Sequence, residues 1–327
     1  MRNTRALIPL ITIVLMSSAA LLGADDRPAD RWKILVPRSA SSLPLLSLDS
    51  RMREQRTSSL GATDAGPELQ VDFFSNHAQA MALLLRGDAD MILTGTSQGW
   101  ENHLGGGPVV MAATGIWGVS SLIGREPGFG GIADLRGRSI AVPFPGAPLD
   151  VQMRVVLEAA GLNPARDVEI VYSPPVQTVA RLLKGQVDVA PLPEPLASNL
   201  VLRKGLHRLI EMKDAWARVS GGDPLSPQVS LFVTRSSARA SRFAVEAVVG
   251  MWREASAWVT DHPREAAEIF SPVLELPSDV LAEAIANTVY LVPEPAENER
   301  RVRAYFETVK RFSSTPGGGT LEPGFFF

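Results

Sequence analysis

The chain of 327 residues contains no cysteine. This absence excludes disulfide bonds, thiolate metal sites, iron–sulfur clusters, cysteine nucleophiles and an acylated cysteine anchor, and it predicts that the protein is not a lipoprotein. Histidine is scarce as well, because only 4 are present and no two have the spacing of an H-E-x-x-H metal pair. We predict neither a bound metal nor a cofactor.

The chain also lacks an excess of basic charge. Its 32 lysines and arginines are balanced by 35 acidic residues, a formal net charge of −3, and aromatic residues make up only 6% of the chain. Surfaces that bind nucleic acid need clustered basic charge or stacking aromatics, so we predict no nucleic-acid partner. The 45% of hydrophobic and 20% of charged residues are typical of a globular protein, and the length fits about two domain-sized units.

The first 24 residues have the pattern of a secretory signal peptide. Arg2 and Arg5 precede an apolar run over Ala6–Leu22, and small residues follow it. The alternative is a retained membrane anchor, but the run is short for a bilayer and acidic residues come after it. We predict cleavage after Ala20 or Ala24 and export to the periplasm.

Strand and helix patterns alternate twice along the chain. The first pass contains Trp32–Pro37, Pro44–Glu54, Leu69–Phe74, Asn76–Arg86 and Asp90–Thr94, of which the second and fourth are helical. The second pass contains Ser139–Phe144, Leu149–Ala160, Val168–Tyr172, Val176–Lys184 and Val187–Leu192 in the same order. Each alternation predicts parallel strands joined by right-handed crossovers.

The two passes share a sequence pattern. Ala82–Ile92 reads ALLLRGDADMI and Ala180–Ala190 reads ARLLKGQVDVA, so in both a helix ends at a glycine and an aspartate precedes the next strand. This repetition predicts two similarly built lobes. We predict structural roles for the two aspartates, Asp90 and Asp188, because they lie at the edge of each sheet away from the strand ends that bind ligands.

Two further strand patterns, Val109–Arg125 and Val229–Thr234, predict two crossings of the chain between the lobes. The predicted fold is therefore α/β and two-lobed, each lobe being a mostly parallel sheet flanked by helices, with the two crossings as a hinge. The predicted division is residues 32–115 plus 230–312 for lobe one, residues 119–228 for lobe two, and residues 313–327 for a flexible, glycine-rich tail.

Four segments carry a resemblance to a known family: DADMILTGTS (Asp88–Ser97), DLRGRSIAVPFPGAPLD (Asp134–Asp150), AAGLNP (Ala159–Pro164) and DVAPLPEPLAS (Asp188–Ser198). With the two lobes and the signal pattern, they resemble type II periplasmic solute-binding proteins of ABC transporters. The closer resemblance is to the nitrate/sulfonate/taurine branch, which also includes binders of thiamine pyrimidines. It covers about residues 32–312 and implies a monomer that delivers a small molecule to the membrane subunits of an ABC permease.

In open α/β lobes, ligands bind beyond the carboxyl ends of the strands, where helices begin. Four loops follow predicted strands in this way, and their hydroxyls, glycines and charges are candidates for ligand contacts, as is a tryptophan at the first crossing. The predicted ligand-binding residues are Arg38, Ser39, Ser41, Ser42, Thr94, Gly95, Thr96, Ser97, Trp117, Gly146, Ala147 and Glu194.

The candidate residues leave two ligand classes open. Hydroxyls and helix N-termini favour an oxyanion such as a sulfonate, nitrate or taurine. Glu194, Trp117 and the loop at Gly146, which lacks serine and threonine, favour a flat nitrogen heterocycle such as a thiamine-pyrimidine precursor. We favour the anion.

An enzyme of the same fold is an alternative of another class. The enzyme that makes the thiamine pyrimidine has a cysteine-rich motif, and a porphyrin-pathway deaminase of related fold holds its cofactor through a cysteine, so the lack of cysteine excludes both. No G-x-S-x-G run and no G-x-x-x-x-G-K-[ST] loop is present. We therefore predict a binding protein and not an enzyme.

The signal pattern predicts export. Residues 1–30, fused to a reporter that is active only in the periplasm, should direct its secretion, and N-terminal sequencing of the processed protein should begin at Leu21 or Asp25. An intact Met1 in the membrane fraction would instead identify the apolar run as an anchor.

Overall fold

The computed structural model describes residues 31–49, 67–143, 145–146, 148–312, 321 and 324–327. The predicted signal peptide lies outside the described residues, as does the end of the predicted helix Pro44–Glu54. Among the described residues, no helix has both the length and the apolar character needed to cross a bilayer.

The chain forms strands and helices in alternation. The strands are β1 (Arg31–Pro37), β2 (Glu68–Phe74), β3 (Met91–Gly95), β4 (Val109–Gly118), β5 (Ser120–Gly124), β6 (Ser139–Val142), β7 (Glu169–Tyr172), β8 (Val189–Pro193), β9 (His207–Glu211), β10 (Val229–Thr234) and β11 (Val289–Tyr290). The α-helices are α1 (Leu43–Leu46), α2 (His77–Arg86), α3 (Thr96–Leu104), α4 (Pro148–Ala159), α5 (Pro175–Leu183), α6 (Leu196–Lys204), α7 (Met212–Val219), α8 (Arg235–Ala240), α9 (Arg242–Asp261), α10 (Pro263–Leu274), α11 (Ser278–Ala286) and α12 (Pro295–Lys310). Short 3-10 turns cover Ala40–Ser42 and Ile132–Leu135.

The strands form two sheets, which confirms the predicted two-lobed α/β fold. One sheet has the order β11-β4-β10-β3-β1-β2 and the other has the order β7-β6-β8-β5-β9. The strands of each repeated pass pair in parallel, as predicted, with β1 between β2 and β3, and β6 between β7 and β8. The sheets are nevertheless mixed, because the strands at the crossings, β4, β5 and β10, pair in the antiparallel direction.

The two sheets are joined by two crossings. β4 runs into β5 with only Val119 between them, so one nearly continuous strand pattern serves both sheets. The chain returns from α7 to β10 through residues 220–228, and the N–H groups of Ser226 and Gln228 donate to the carbonyl oxygens of Trp117 (3.0 Å) and Ile116 (2.9 Å). The two crossings therefore lie side by side. The lobe boundaries at residues 115, 119, 228 and 230 stay a prediction.

The repeated aspartates form the same contact in both lobes. The Lys33 N–H donates to Asp90 Oδ2 (2.7 Å), and the Asp90 N–H donates to the Lys33 carbonyl oxygen (2.9 Å). In the second lobe the Ser139 N–H donates to Asp188 Oδ2 (2.7 Å), and the Asp188 N–H donates to the Ser139 carbonyl oxygen (3.1 Å). Each aspartate thus ties the start of one strand to the start of its parallel neighbour, in agreement with the predicted structural role.

The cap residues of α2 explain where this helix starts and ends. The Asn76 side chain accepts a hydrogen bond from the Gln79 N–H (3.0 Å), which satisfies an amide that has no acceptor inside the helix. Gly87 ends the helix at φ +82°, in the left-handed region that glycine enters without steric cost. Both residues were predicted for these positions.

Several helices have no clear sequence pattern, and α3 is the one that matters most for the site. Its first residues, Thr96 and Ser97, were predicted to belong to a loop. Position 99, inside this helix, requires a glycine, because a Cβ atom there would lie only 2.0 Å from the Phe232 ring. A helix that packs so closely on a neighbouring aromatic ring is favoured by tertiary contact and not by its own helix propensity.

The last four residues, 324–327, pack onto the first sheet, although they belong to the segment predicted to be a flexible tail. Phe325 has no exposed surface, and its ring lies 5.1 Å from the rings of Trp100 and His103. The Met111 N–H donates to the Phe325 carbonyl oxygen (2.8 Å). The glycines of the tail predicted mobility, but the burial of an aromatic ring offsets the loss of chain entropy.

The contact at Asp188 predicts a loss of stability on its removal. Burial alone would raise the pKa of Asp188, but hydrogen bonds from Ser139 and the charge of Arg138 outweigh it and hold the pKa below the ordinary value. Asp188→Asn should lower the free energy of unfolding by about 1–2 kcal/mol at neutral pH, because a charged acceptor of two hydrogen bonds is lost.

The pH dependence provides the check on this prediction. A carboxyl group with a lowered pKa in the folded state stabilises the fold above its unfolded pKa, and the contribution disappears as the pH falls through the folded value. The difference between wild type and Asp188→Asn in urea denaturation should therefore shrink below about pH 4. Glu126→Gln, an exposed carboxyl group in the same lobe, is the control and should change stability by less than about 0.5 kcal/mol.

Candidate functional site

The candidate site lies where the carboxyl ends of four parallel strands meet the following helices. In lobe one these strands are β1 and β3, which lead into the turn at Ala40–Ser42 and into α3. In lobe two they are β6 and β8, which lead into α4 and α6. Ligands of open α/β sheets bind at this edge. The start of α3 and the second turn of α4 both contact the second crossing, through Thr96 and Gln152.

The first loop supplies hydroxyls and not a free charge. The hydroxyls of Ser39 and Ser41 are 2.6 Å apart, and the buried Ser42 hydroxyl donates to the Pro37 carbonyl oxygen. Arg38 donates to the Val273 carbonyl oxygen (2.6 Å) and pairs with Glu275 (3.1 Å), so its charge is engaged within lobe one.

The helix after this loop is short. Where a helix was predicted over Pro44–Glu54, the structure has the 3-10 turn and then α1 of four residues, and the rest of the predicted range lies beyond the described residues. A helix of one turn provides little of the macrodipole that was expected to attract an anion here.

The second loop is the start of α3, and its hydroxyls differ in their availability. Thr96 is buried and its hydroxyl is 2.7 Å from the Ser230 hydroxyl, while the Thr94 hydroxyl donates to Gln98 Oε1 (2.7 Å). Ser97 is half-buried, and its hydroxyl forms no hydrogen bond with the described part of the chain. Ser97 is therefore the residue of this loop with a hydroxyl available to a ligand.

The Gly95 and Thr96 amides are also engaged. The Gly95 N–H donates to Gln98 Oε1 (3.2 Å), and the Thr96 N–H donates to the Gln228 carbonyl oxygen (3.0 Å). The next amides of α3 belong to the first turn, where N–H groups have no acceptor inside a helix. The positive end of this nine-residue helix thus begins at Ser97.

The third loop contains a carboxylate that is neutralised internally. Asp150 has no exposed surface; it accepts from the Gly146 N–H (2.8 Å) and from Arg154 Nε (2.9 Å). Asp150 therefore stabilises the turn at the start of α4 and presents no free negative charge to the cleft. The same contact engages the Gly146 amide that was predicted to bind a ligand, and Ala147 lies outside the described residues.

The fourth loop holds a buried ion pair. Glu194 is 3% exposed; its Oε1 accepts from Arg208 Nη1 (2.8 Å) and its Oε2 from the Ser198 N–H at the start of α6 (3.0 Å). Burial raises the pKa of Glu194, although Arg208 and Ser198 favour its charged form. Both oxygens of the carboxylate are therefore engaged by groups of lobe two.

Trp117 is a core residue of the hinge. Its ring is fully buried, and its Nε1–H donates to the Leu291 carbonyl oxygen (2.8 Å). The predicted stacking of this ring on a ligand would need the ring to be exposed, and here both its faces pack against other residues. We therefore leave Trp117 out of the proposed site.

Two further contacts, one within lobe one and one between the lobes, involve Tyr290 and Arg203. Tyr290 of β11 donates its hydroxyl to the Ala40 carbonyl oxygen (2.8 Å), and burial, with the negative charge of Glu194, raises the Tyr290 pKa far above its ordinary value. Arg203 of α6 pairs with both carboxylate oxygens of Asp279 on α11, at 2.5 and 2.6 Å. The Arg203–Asp279 ion pair therefore joins lobe two to lobe one, whereas the Tyr290–Ala40 hydrogen bond lies within lobe one.

Sequence reasoning missed the polar side chains of the second crossing. Ser226, Gln228 and Ser230 are all buried, and the side-chain amide of Gln152, on α4 of lobe two, lies 3.1 Å from the Ser226 hydroxyl. The sequence does contain a pattern that could have identified them, because three polar side chains alternate over Ser226–Ser230 in a segment that leads into a buried strand. Buried polar groups of this kind need hydrogen-bond partners, and they are common where a ligand is bound.

The Glu194–Arg208 pair predicts a pH-dependent loss of stability. Arg208→Met should lower the free energy of unfolding by about 3 kcal/mol at neutral pH, since it leaves a buried carboxylate without its partner. The loss should be smaller at acid pH, because a carboxyl group with a raised pKa stabilises the fold when protonated and loses that contribution as the pH rises through the folded value.

Two further variants test whether the unpaired Glu194 carboxylate causes the loss of stability in Arg208→Met. The double variant Glu194→Gln/Arg208→Met should regain part of the lost stability, whereas Lys184→Met, an exposed change of the same type, should have little effect. An equal loss at all pH values, with no recovery in the double variant, would show that Arg208 acts through packing alone.

Three comparisons place the chain among known proteins. Residues 125–273 match the model of the NMT1-like family. Over 142 residues the chain is 29% identical to the nitrate/nitrite binding protein NrtA of Synechococcus elongatus, a match that covers 42% of this chain and 30% of that relative, so the chain spans less than a third of its length.

Solved structures extend the likeness to nearly the whole chain. The periplasmic aliphatic sulphonate binding protein SsuA from Escherichia coli has a TM-score of 0.70 at 18% identity, with 90% of this chain and 97% of that chain covered. The alkanesulfonate-binding protein SsuA from Xanthomonas axonopodis pv. citri bound to MOPS has a TM-score of 0.67 at 19% identity, with 91% and 98% covered. The predicted resemblance is confirmed: this chain has the two-lobed fold of periplasmic binding proteins of ABC transporters, and its residues 125–273 match the NMT1-like family.

Proposed function

We propose that this protein is an extracytoplasmic solute-binding protein, which captures a small oxyanion between its two lobes and delivers it to the membrane subunits of an ABC permease. The observation that carries the proposal is the hinge. Two adjacent crossings join two α/β lobes, and one helix from each lobe contacts the second crossing near its start, α3 through Thr96 and α4 through Gln152. A ligand that contacts both edges favours the closed arrangement over the open one, which is the physical basis of capture.

The chemistry of the cleft supports an oxyanion of the sulfonate, nitrate or taurine type. The side chains at these loops are uncharged donors, chiefly the hydroxyls of the half-buried Ser97 and Ser39, and the first turn of α3 adds amides and its positive end. The two carboxylates at the loops of lobe two, Asp150 and Glu194, are paired with arginines. The relatives named above bind nitrate or sulfonates, which is consistent with this class.

The two residues that favoured the alternative ligand, a flat nitrogen heterocycle, do not form the expected contacts. Glu194 was to accept from a ring N–H, but its carboxylate is bound by Arg208 and Ser198. Trp117 was to stack on the ring, but it is fully buried. Binding without catalysis, periplasmic localisation and a monomeric state are parts of the same proposal, and the relatives are binding proteins of transporters.

A panel of ligands tests the function. Nitrate, taurine, ethanesulfonate, a pyrimidine and an aromatic carboxylate should be compared by thermal shift at constant ionic strength, with chloride as the control anion. A cognate ligand stabilises the folded state by mass action, by about 2.7 kcal/mol at 100 times its Kd. We expect stabilisation by one of the first three compounds; stabilisation by the pyrimidine alone would contradict the anion class.

The same assay locates the site. The double variant Thr96→Ala/Ser97→Ala should weaken binding of the identified anion by about 1–3 kcal/mol, the cost of leaving polar groups without partners. Ser97→Ala alone should account for most of this loss with unchanged stability, since the Thr96 hydroxyl is engaged by Ser230. Unchanged affinity in the double variant, measured by calorimetry, would place the site elsewhere.

A further inference from the structure

Three polar side chains form a buried cluster between α4 and the second crossing: Gln152, Ser226 and Gln228. Gln152 is 1% exposed, Ser226 is 1% exposed and Gln228 is 6% exposed. The amide nitrogens of Gln152 and Gln228 lie 3.1 and 2.9 Å from the Ser226 hydroxyl. One hydroxyl thus bridges a helix of lobe two and the second crossing.

The position of the cluster links all the parts that surround the cleft. Gln152 lies in the second turn of α4, and the Ser226 N–H donates to the Trp117 carbonyl oxygen of the first crossing (3.0 Å). The Gln228 carbonyl oxygen accepts from the Thr96 N–H at the start of α3 (3.0 Å). The cluster is therefore next to the N-terminal turns of one helix from each lobe.

One atom of this cluster has no partner. Gln152 Oε1 is buried and accepts no hydrogen bond from the described residues. Buried polar atoms are nearly always paired, so an exception next to the starts of α3 and α4 indicates either a functional contact or a bound water. The amide group also provides the means of that contact, because its oxygen and nitrogen exchange places on rotation by 180°.

The two orientations of the Gln152 amide differ in how well Ser226 is satisfied. With both amide nitrogens at the Ser226 oxygen, the hydroxyl hydrogen has no acceptor in the cluster. With the Gln152 amide rotated, the Gln228 amide donates to the Ser226 hydroxyl, and this hydroxyl donates to Gln152 Oε1. The Gln152 amide nitrogen then lies where the unpartnered oxygen was. The second arrangement is a continuous chain of donors that ends in an N–H group, and such chains strengthen each of their bonds.

We propose that Gln152 is a ligand contact at the base of the cleft, where its amide donates to an oxygen of the bound anion and is oriented by Ser226 and Gln228. This inference rests on the proposed function and adds to it a specificity-determining residue in lobe two. An uncharged donor in this position binds the oxygen of a nitrate or sulfonate group without the charge compensation that a buried lysine or arginine would require.

Two substitutions of Gln152 separate a ligand contact from a structural role. Gln152→Met keeps the length and helix propensity of the side chain but removes both polar atoms, and Gln152→Glu keeps the acceptor for Ser226 but replaces the amide donor by a carboxylate. Ser226→Ala interrupts the donor chain, and Gln177→Met on the exposed face of α5 is the matched control.

Affinities for nitrate, taurine and ethanesulfonate should be measured by calorimetry for each full-length variant, together with the unfolding free energy without ligand. We expect Gln152→Met to weaken binding of the preferred anion at least 10-fold while its unfolding free energy without ligand is unchanged or higher, because an unpartnered buried oxygen is removed. We expect Gln152→Glu to weaken binding more than 100-fold, Ser226→Ala to weaken it about 3- to 10-fold, and Gln177→Met to have no effect.

The outcomes that overturn the inference differ from those that overturn the function. Wild-type affinity in Gln152→Met, or tighter binding in Gln152→Glu, would exclude Gln152 as an anion donor while the proposed function stands. If the wild type binds none of the three anions, the proposed oxyanion function fails, and with it this assignment. If Gln152→Met loses stability without ligand as well as affinity, the unpartnered oxygen holds a structural water and the inference is wrong.

Discussion

The pairing of the two crossings is the constraint on which the rest of the structure depends. Two backbone hydrogen bonds, from the N–H groups of Ser226 and Gln228 to the carbonyl oxygens of Trp117 and Ile116, hold the crossings side by side. Since β4 continues into β5 and the second crossing continues into β10, this pairing orients both sheets. The start of α3 and the second turn of α4, one from each lobe, both contact the second crossing.

The electrostatics of the cleft follow from where the charges are paired. Asp150 and Glu194 would repel an anion, but Arg154 and Arg208 neutralise them within lobe two, and Arg38 pairs with Glu275 in lobe one. The groups left for a ligand are hydroxyls, amides and helix ends. Such donors bind an oxyanion by direction and number of hydrogen bonds, and they do not incur the desolvation cost of an unpaired buried charge.

Local signals in the sequence identified the repeated framework. The pattern of a helix, a glycine and an aspartate predicted two similar lobes, and Asp90 and Asp188 do form the same contact with Lys33 and Ser139 in the two sheets. The start and end of α2 at Asn76 and Gly87 were predicted for the same reason. In each case the physical cause acts over a few residues, through capping, left-handed backbone or the start of a neighbouring strand.

Hydrophobic periodicity, caps and repeats predicted the α/β class and the two lobes, because these are local properties of the sequence. Which polar groups remain available could not be predicted in this way, because pairing depends on residues far apart in the chain. Glu194 binds Arg208, Trp117 binds the carbonyl of Leu291, and Gln152 meets Ser226 across the hinge. Phe325 shows the same limit, since a glycine-rich tail gives no sign that its last residues fill a place beside Trp100 in the core.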